Sequence, residues 1–298
     1  MKDKVIVNIA GGVMSSMFSV GVLAELQKQD VYERIKAVYA GSAGVVVAAY
    51  FLARQMSETK KIYSQELSRT LYNPKNIPKL AGMAIVSRFW RRIPPEKFPQ
   101  VVNIDAVYDV ITEDYPLDIG YLKNQPIPLY ASFLNIDTGE LDYLDVRQGD
   151  TLKNIMVSIN AAPGSYKEMR INGKRYIDGA IKEPFSIRVV RERHPDSPML
   201  MIANENINRP LANYLKGAIE GLLAEWMLGL PVYEMYAKRE QIITKDFRVM
   251  ENDGNIRLVN LPIGDTAKRY TTDPKILEEF YELGAQKARE ALQFIRGS

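Results

Sequence analysis

Ala37-Val38-Tyr39-Ala40-Gly41-Ser42-Ala43-Gly44-Val45-Val46-Val47-Ala48-Ala49 reads as a short apolar strand, one sharp turn, and an Ala-rich helix starting at or just after Ser42. A serine held at such a turn has its hydroxyl pushed away from the sheet edge. The helix behind it offers partial positive charge and free N–H groups to a developing anion. The pattern is G-x-S-x-G with Ala40 in place of the first glycine. Taken alone, these residues are better read as a helix cap, since serine at the N-cap is common. The fold follows from what surrounds them. Upstream, a strand is predicted over residues 4–9, then a loop opening Ala10-Gly11-Gly12, then a helix to about Lys28. That helix carries Met14, Phe18, Val22 and Leu26 on one 3.6-period face. A second strand, 35–39, enters the serine turn, and the helix beyond it is expected to run to Gln55. Strand–helix–strand–helix at this spacing predicts a parallel sheet covered on both faces.

Further along, residues 57–125 read as helical and irregular, with a helix near 104–111 and strands at 127–133 and 141–144. A helix at 151–160 follows. Asn172-Gly173 between 169–171 and 175–177 is the strongest two-residue hairpin signal in the chain. A helix around 186–193 and a strand at 199–203 add one more α/β unit. The final third is mainly helical. Leu211, Leu215, Ile219, Leu222, Leu223, Trp226 and Leu230 form a stripe that stops at Pro231, a short strand covers 256–261, and a last helix starts at Asp273-Pro274.

Composition narrows the chemistry. The chain has 298 residues, 46% hydrophobic and 25% charged, with a net charge of +3. That size suits one large core, and that charge gives no argument for nucleic acid as a partner. There is no cysteine, which excludes disulfides and thiolate chemistry, and a single histidine, His194, which nearly excludes an imidazole-built metal site. Met1-Lys2-Asp3-Lys4 leads straight into a strand without a signal-like segment, and no apolar run approaches the roughly 18 residues of a membrane span. The expectation is a soluble, cytoplasmic protein.

Three places carry residues that could do chemistry. The loop Ala10-Gly11-Gly12-Val13-Met14-Ser15-Ser16 can aim N–H groups at a phosphate or an oxyanion. It lacks the lysine of a phosphate-binding loop and the spacing of a dinucleotide fingerprint; a plain tight turn is an equal reading. The second is Ser42. The third is Tyr176-Ile177-Asp178-Gly179-Ala180, where Asp-Gly taken singly is ordinarily a turn. The order Ser42, Asp178, His194 matches that of α/β-hydrolase triads, but His194 sits in Arg191-Glu192-Arg193-His194-Pro195-Asp196, which reads as a solvated helix end.

These residues together resemble a patatin-like phospholipase, of the bacterial patatin branch. In that family a Gly-rich oxyanion loop follows the first strand and a G-x-S-x-G serine the second. An Asp-Gly-Gly or Asp-Gly-Ala aspartate completes a Ser–Asp dyad. Gly41-Ser42-Ala43-Gly44 matches the nucleophile turn, and the run from Asn160-Ala161-Ala162-Pro163 to Asp178-Gly179-Ala180 is similar to the segment leading into the dyad aspartate. The resemblance covers nearly the whole chain. It implies an α/β fold, a patatin-like three-layer α/β/α arrangement with a mainly parallel central sheet and additional C-terminal helices. It implies one domain over 1–298, with 1–208 carrying the core and 209–298 a mainly helical extension packed on it.

For function, the resemblance implies a serine lipid acyl hydrolase in which Ser42 is the nucleophile, Asp178 its base, and Gly11, Gly12 and Val13 the oxyanion donors. Its substrate would be a lipid or small ester, with no cofactor and no metal. Here the loop departs from the family's three glycines, one residue, a basic residue and a glycine: Val13, Ser15 and Ser16 stand at altered positions. A β-branched Val13 cannot copy a glycine conformation without strain. The rival expectation is therefore a patatin-fold protein of weak or no activity that binds lipid or a protein partner. Arg88-Phe89-Trp90-Arg91-Arg92 and the 211–230 stripe raise a transient membrane-surface contact. The competing and favoured expectations are a solvated, partly buried turn and a core-packed helix, with Leu222 and Trp226 available to an acyl pocket. The oligomeric state is not legible in the sequence.

Overall fold

The computed structural model describes residues 4–206, 211–262 and 269–298; the first three residues and the expected 208/209 division lie outside them. The chain opens with β1 (Val5–Ile9), α1 (Met17–Lys28), β2 (Ile35–Ala40) and α2 (Ala43–Leu52). A helical stretch follows: α3 (Met56–Lys61), α4 (Ser68–Thr70), α5 (Ile77–Phe89), α6 (Ile104–Asp109) and α7 (Ile119–Asn124). Next come β3 (Leu129–Asn135), β4 (Leu141–Asp145), α8 (Thr151–Ser158), β5 (Arg170–Ile171), β6 (Lys174–Asp178), α9 (Ile187–Arg193) and β7 (Met199–Ala203). The chain closes with α10 (Leu211–Leu228), α11 (Tyr233–Asn252), β8 (Ile256–Asn260) and α12 (Pro274–Gly297). The helix expected to reach Gln55 ends at Leu52, and the chain reverses at Arg54 with φ 61° before α3.

The strands pair in the order β5-β6-β3-β2-β1-β7-β8, with β4 added on β3. Pairings among β3, β2, β1, β7 and β8 are parallel. Helices cover both faces. Val5, Val7 and Ile9 join a core with α1, α2 and α12, while Ile6 and Ala10 join one with α9 and α11. A strand buried on both sides must read as a continuous apolar run, which is how β1 reads.

One detail of register places the site. β4 occupies one edge of β3 from Tyr130 to Leu134. The other edge is shared: β2 pairs with Leu129–Ala131 and β6, antiparallel, with Phe133–Asn135. The two strands therefore approach each other end to end, β2 rising to Ala40 and β6 descending to Asp178 opposite Phe133. The hairpin that returns β6 turns on Asn172 and Gly173, both at positive φ (50° and 81°), the geometry the Asn-Gly pair predicts.

The C-terminal segment is built into this frame. β8 extends the sheet beside β7, and α12 packs along α1. α12 starts as its sequence predicts, with Asp273 Oδ1 accepting the Lys275 N–H at 2.9 Å and Pro274 in its first turn. The stripe on α10 corrects the core-packed reading in part, for Leu223, Trp226 and Leu230 do pack against a buried cluster. Leu211, Leu215, Ile219 and Leu222 are exposed, and the buried side is Asn213, Gly221, Ala224, Met227 and Leu228. α10 turns its small residues to α11, where Gly221 sits against Tyr233 and Tyr236. That close approach leaves the four exposed side chains outside.

Candidate active site

Ser42 stands where β2 gives way to α2, at φ 52° and ψ −137°. A left-handed φ on a non-glycine residue costs on the order of 1–3 kcal/mol and persists only where its surroundings impose it. The hydroxyl makes no cap hydrogen bond to α2, so the cap reading of this serine does not describe the structure. Gly11 lies directly under it. A Cβ on Gly11 would come within 2.5 Å of Ser42 Cβ and 3.2 Å of Ser42 Oγ, so no side chain fits there.

Asp178 arrives from the opposite direction at the end of β6. Its backbone N–H donates to the Asn160 carbonyl at 2.8 Å, and its Oδ1 accepts the Ala180 N–H at 2.9 Å. Gly179 allows the arrival: a Cβ there would lie 2.5 Å from the Ser132 carbonyl carbon of β3. The Asp-Gly pair thus serves close approach between strands. Asp178 is 4% exposed, and burial raises its pKa to about 6. The Ser42 hydroxyl, the Ala180 N–H and the Arg239 and Arg269 charges all act in the other direction, favouring the carboxylate. Ser42 and Asp178 line the same cavity, with the serine hydroxyl among the groups that favour the ionised aspartate.

The loop after β1 runs along the same floor. Gly12 is extended at φ 176°, and Val13 takes φ 52°, so the valine holds the glycine-type conformation and carries its strain. Among the described residues no acceptor takes the N–H groups of Gly11, Gly12 or Val13. Gly11 and Val13 line the cavity beside Ser42, whereas Gly12 does not. Ser15 turns inward, its hydroxyl 2.7 Å from the Gly12 carbonyl and 3.0 Å from that of Asn204. It ties the loop to the chain just after β7.

The cavity over Ser42 and Asp178 holds about 360 Å³. Much of its wall is apolar, including Val46, Leu67, Leu71, Ile104 and Val107. A second part is charged. Glu205 bridges Arg239 and Arg269, each at 3.2 Å, and Lys216 faces Glu220 at 3.8 Å. Ile219 and Leu223 of α10 border the cavity, not the Leu222 and Trp226 expected there. Leu222 is exposed, and Trp226 packs instead against Phe89 and the neighbouring buried cluster. Such a space can take an acyl chain on one side and a polar group on the other.

His194 is not part of this site. It caps the C-terminus of α9, half-buried rather than solvated, with Nε2 3.2 Å from the Tyr39 hydroxyl. Burial lowers its pKa, helped by Lys36 and Arg193. Lys36 begins β2 and bonds Ser197 just before β7, so His194 lies at the opposite end of the sheet from Ser42. Sequence reasoning missed Asn204, whose side chain donates to the Ala10 carbonyl (2.8 Å) and accepts from the Ser19 N–H (3.1 Å), clamping the loop. It also missed Glu205, Arg239 and Arg269. The one available signal was position: Asn204 and Glu205 follow β7 at the carboxyl end of a parallel strand, where α/β sheets place their sites.

Matches to known proteins include the following two. The family model described as patatin-like phospholipase matches residues 8–191, a span that contains Ser42 and Asp178. The crystal structure of VipD from Legionella pneumophila is similar over 97% of this chain and 67% of that one, with 13% identity and a TM-score of 0.49.

Proposed function

This chain belongs to the patatin-like phospholipase family, and from that premise we propose that it is a serine lipid acyl hydrolase working through a Ser42–Asp178 dyad. The observation that carries the proposal is the end-to-end meeting of β2 and β6. It brings Ser42 and Asp178 to the wall of one largely apolar cavity, which supports the dyad reading. In the reaction, Ser42 Oγ attacks the ester carbonyl carbon while Asp178 takes the hydroxyl proton. The oxyanion is held by the unpaired N–H groups of Gly11 and Val13, with Gly12 supporting the turn between them. Asp178 then returns the proton to the departing alcohol as the tetrahedral state collapses to an acyl-serine. Water then attacks the acyl-serine, losing a proton to Asp178; as the C–Oγ bond breaks, Asp178 passes that proton to Ser42 Oγ, releasing the acid and restoring the serine. The apolar wall would hold the acyl chain of a lipid ester.

The test is labelling by a fluorophosphonate probe together with hydrolysis of p-nitrophenyl butyrate. The wild type should label and turn over; Ser42→Ala should lose both, and Asp178→Asn should lose at least about 10³-fold in turnover. Full activity in Ser42→Ala would sink the dyad. A well-folded wild type that never labels would instead favour a patatin-fold binding protein.

A further inference from the structure

α5 and α10 pack on each other at the cavity, and each contributes to its wall, Ile77 and Leu80 from one and Ile219 and Leu223 from the other. Their outer sides carry the largest apolar exposures among the described residues. Leu211 is 83% exposed, Trp90 79%, Phe89 65% and Leu215 63%. Leu211 and Leu215 begin α10 and Phe89 lies by Trp226 near its end, with Ile219 and Leu222 exposed between them, so the uncovered apolar side chains follow the length of the helix. The aromatic end is ordered: Phe89 stacks edge-on against both Trp90 and Trp226.

Charge indicates what covers this face. From Leu67 to Pro95 the sequence contains six basic residues and no acid. Lys75, Lys79, Arg88, Arg91 and Arg92 are all exposed. Arg92 donates to the Trp226 carbonyl at 3.2 Å and Arg88 lies over the Phe89 ring, so neither positive charge is neutralised by these contacts. Tryptophan, phenylalanine and leucine beside arginines form the composition of a surface that lies at the boundary between lipid headgroups and acyl chains.

We propose that the α5–α10 face docks this protein on an anionic lipid bilayer. Phe89, Trp90, Leu211 and Leu215 sit among the headgroups, and Arg88, Arg91 and Arg92 meet the lipid's negative charge. Docked this way, the cavity wall formed by α5 and α10 faces the membrane, and an acyl chain enters between the two helices. The purpose of the docking rests on the acyl-hydrolase reading above; the docking itself does not.

Trp90 and Trp226 are the only tryptophans in the chain, which permits a direct test. Ser42→Ala with Trp226→Phe leaves Trp90 as the sole reporter in a protein that cannot consume the lipid. Added to phosphatidylglycerol vesicles, it should co-sediment, and Trp90 emission should shift to the blue; phosphatidylcholine vesicles should bind at least about tenfold more weakly. Each exposed arginine is worth about fivefold in binding, so the Arg88→Gln, Arg91→Gln, Arg92→Gln triple variant should bind about 100-fold more weakly. Trp90→Ser with Leu215→Ser should also detach the protein. In the Ser42 background both sets should turn over water-soluble p-nitrophenyl butyrate as the wild type does. Absence of vesicle binding, or binding indifferent to these substitutions, overturns the proposal. So does a dimer in sedimentation velocity that Trp90→Ser dissolves, because the face would then belong to a second copy. A protein that cleaves the soluble ester but ignores vesicles loses the docking and keeps the hydrolase. One that binds phosphatidylglycerol yet cleaves no ester does the reverse.

Discussion

Val13 and Ser42 share φ 52°, and in both the strain lies beside the reacting centre. For Val13 the expected balance can be set out. Replacement by glycine relieves roughly 1–2 kcal/mol of left-handed strain. It loses about 0.5–1 kcal/mol through the freer unfolded chain and about 1 kcal/mol of packing from a half-buried side chain. Val13→Gly should therefore leave thermal stability within about 1 kcal/mol of wild type and retain ester turnover, since the N–H keeps its direction. A loss beyond about 2 kcal/mol by chemical denaturation would show that the side chain, not the backbone, fixes this loop. Asp178 gives a second expectation. As a base it acts only when ionised, so kcat/KM should fall below an apparent pKa of about 6. The same rise, from 3.8, means the folded state binds the proton more tightly than the unfolded one. Its contribution to stability is present below pH about 4 and is lost as the pH rises through about 6. A rise of that size corresponds to about 3 kcal/mol, so Asp178→Asn should be inactive and more stable at pH 8. An equal or lower melting temperature there would mean that burial does not penalise this carboxylate.

At the scale of elements, what the sequence made legible was the identity of each piece. The strand, turn and helix around Ser42, the Asn172-Gly173 hairpin and the Asp273-Pro274 helix start are local signals, fixed by backbone preferences within a few residues. How pieces meet is set by distant contacts, and there local signals run out. That β6 would take over the edge of β3 where β2 leaves it depends on two registers, between residues 91 positions apart for β2 and 41 to 45 apart for β6. Nothing near Asp178 encodes the second register except Gly179, whose missing side chain has meaning only once Ser132 lies against it. α10 was misread for a related reason. An apolar stripe indicates which side wants to leave water, but Gly221 and Ala224 decide which side a neighbouring helix can reach. The outcome is a helix whose large apolar side chains, Leu211 and Leu215, remain uncovered.

At the scale of the molecule, the span that defines the family ends at residue 191, yet the cavity is completed by residues beyond it. Glu205 is the tie. It follows Asn204, which clamps the loop after β1, and it bridges Arg239 of α11 to Arg269. One buried carboxylate thus joins the serine side of the site to the C-terminal segment. Glu205→Gln preserves the volume and removes the charge that pairs with Arg269 and Arg239, while Arg239 keeps its pair with Glu240. Removing one member of such a mostly buried network should cost about 3 kcal/mol in stability, read as a lower denaturation midpoint. The activity profile should move as well, in a direction set by sign. Arg239 and Arg269 already favour the ionised form of Asp178. Freed from a neutralising neighbour, they favour it more strongly, so the acid limb of kcat/KM should shift to lower pH. A destabilised variant whose acid limb stays in place would confine Glu205 to holding the two parts together. A shift to higher pH would contradict the electrostatic link between the C-terminal arginines and the base.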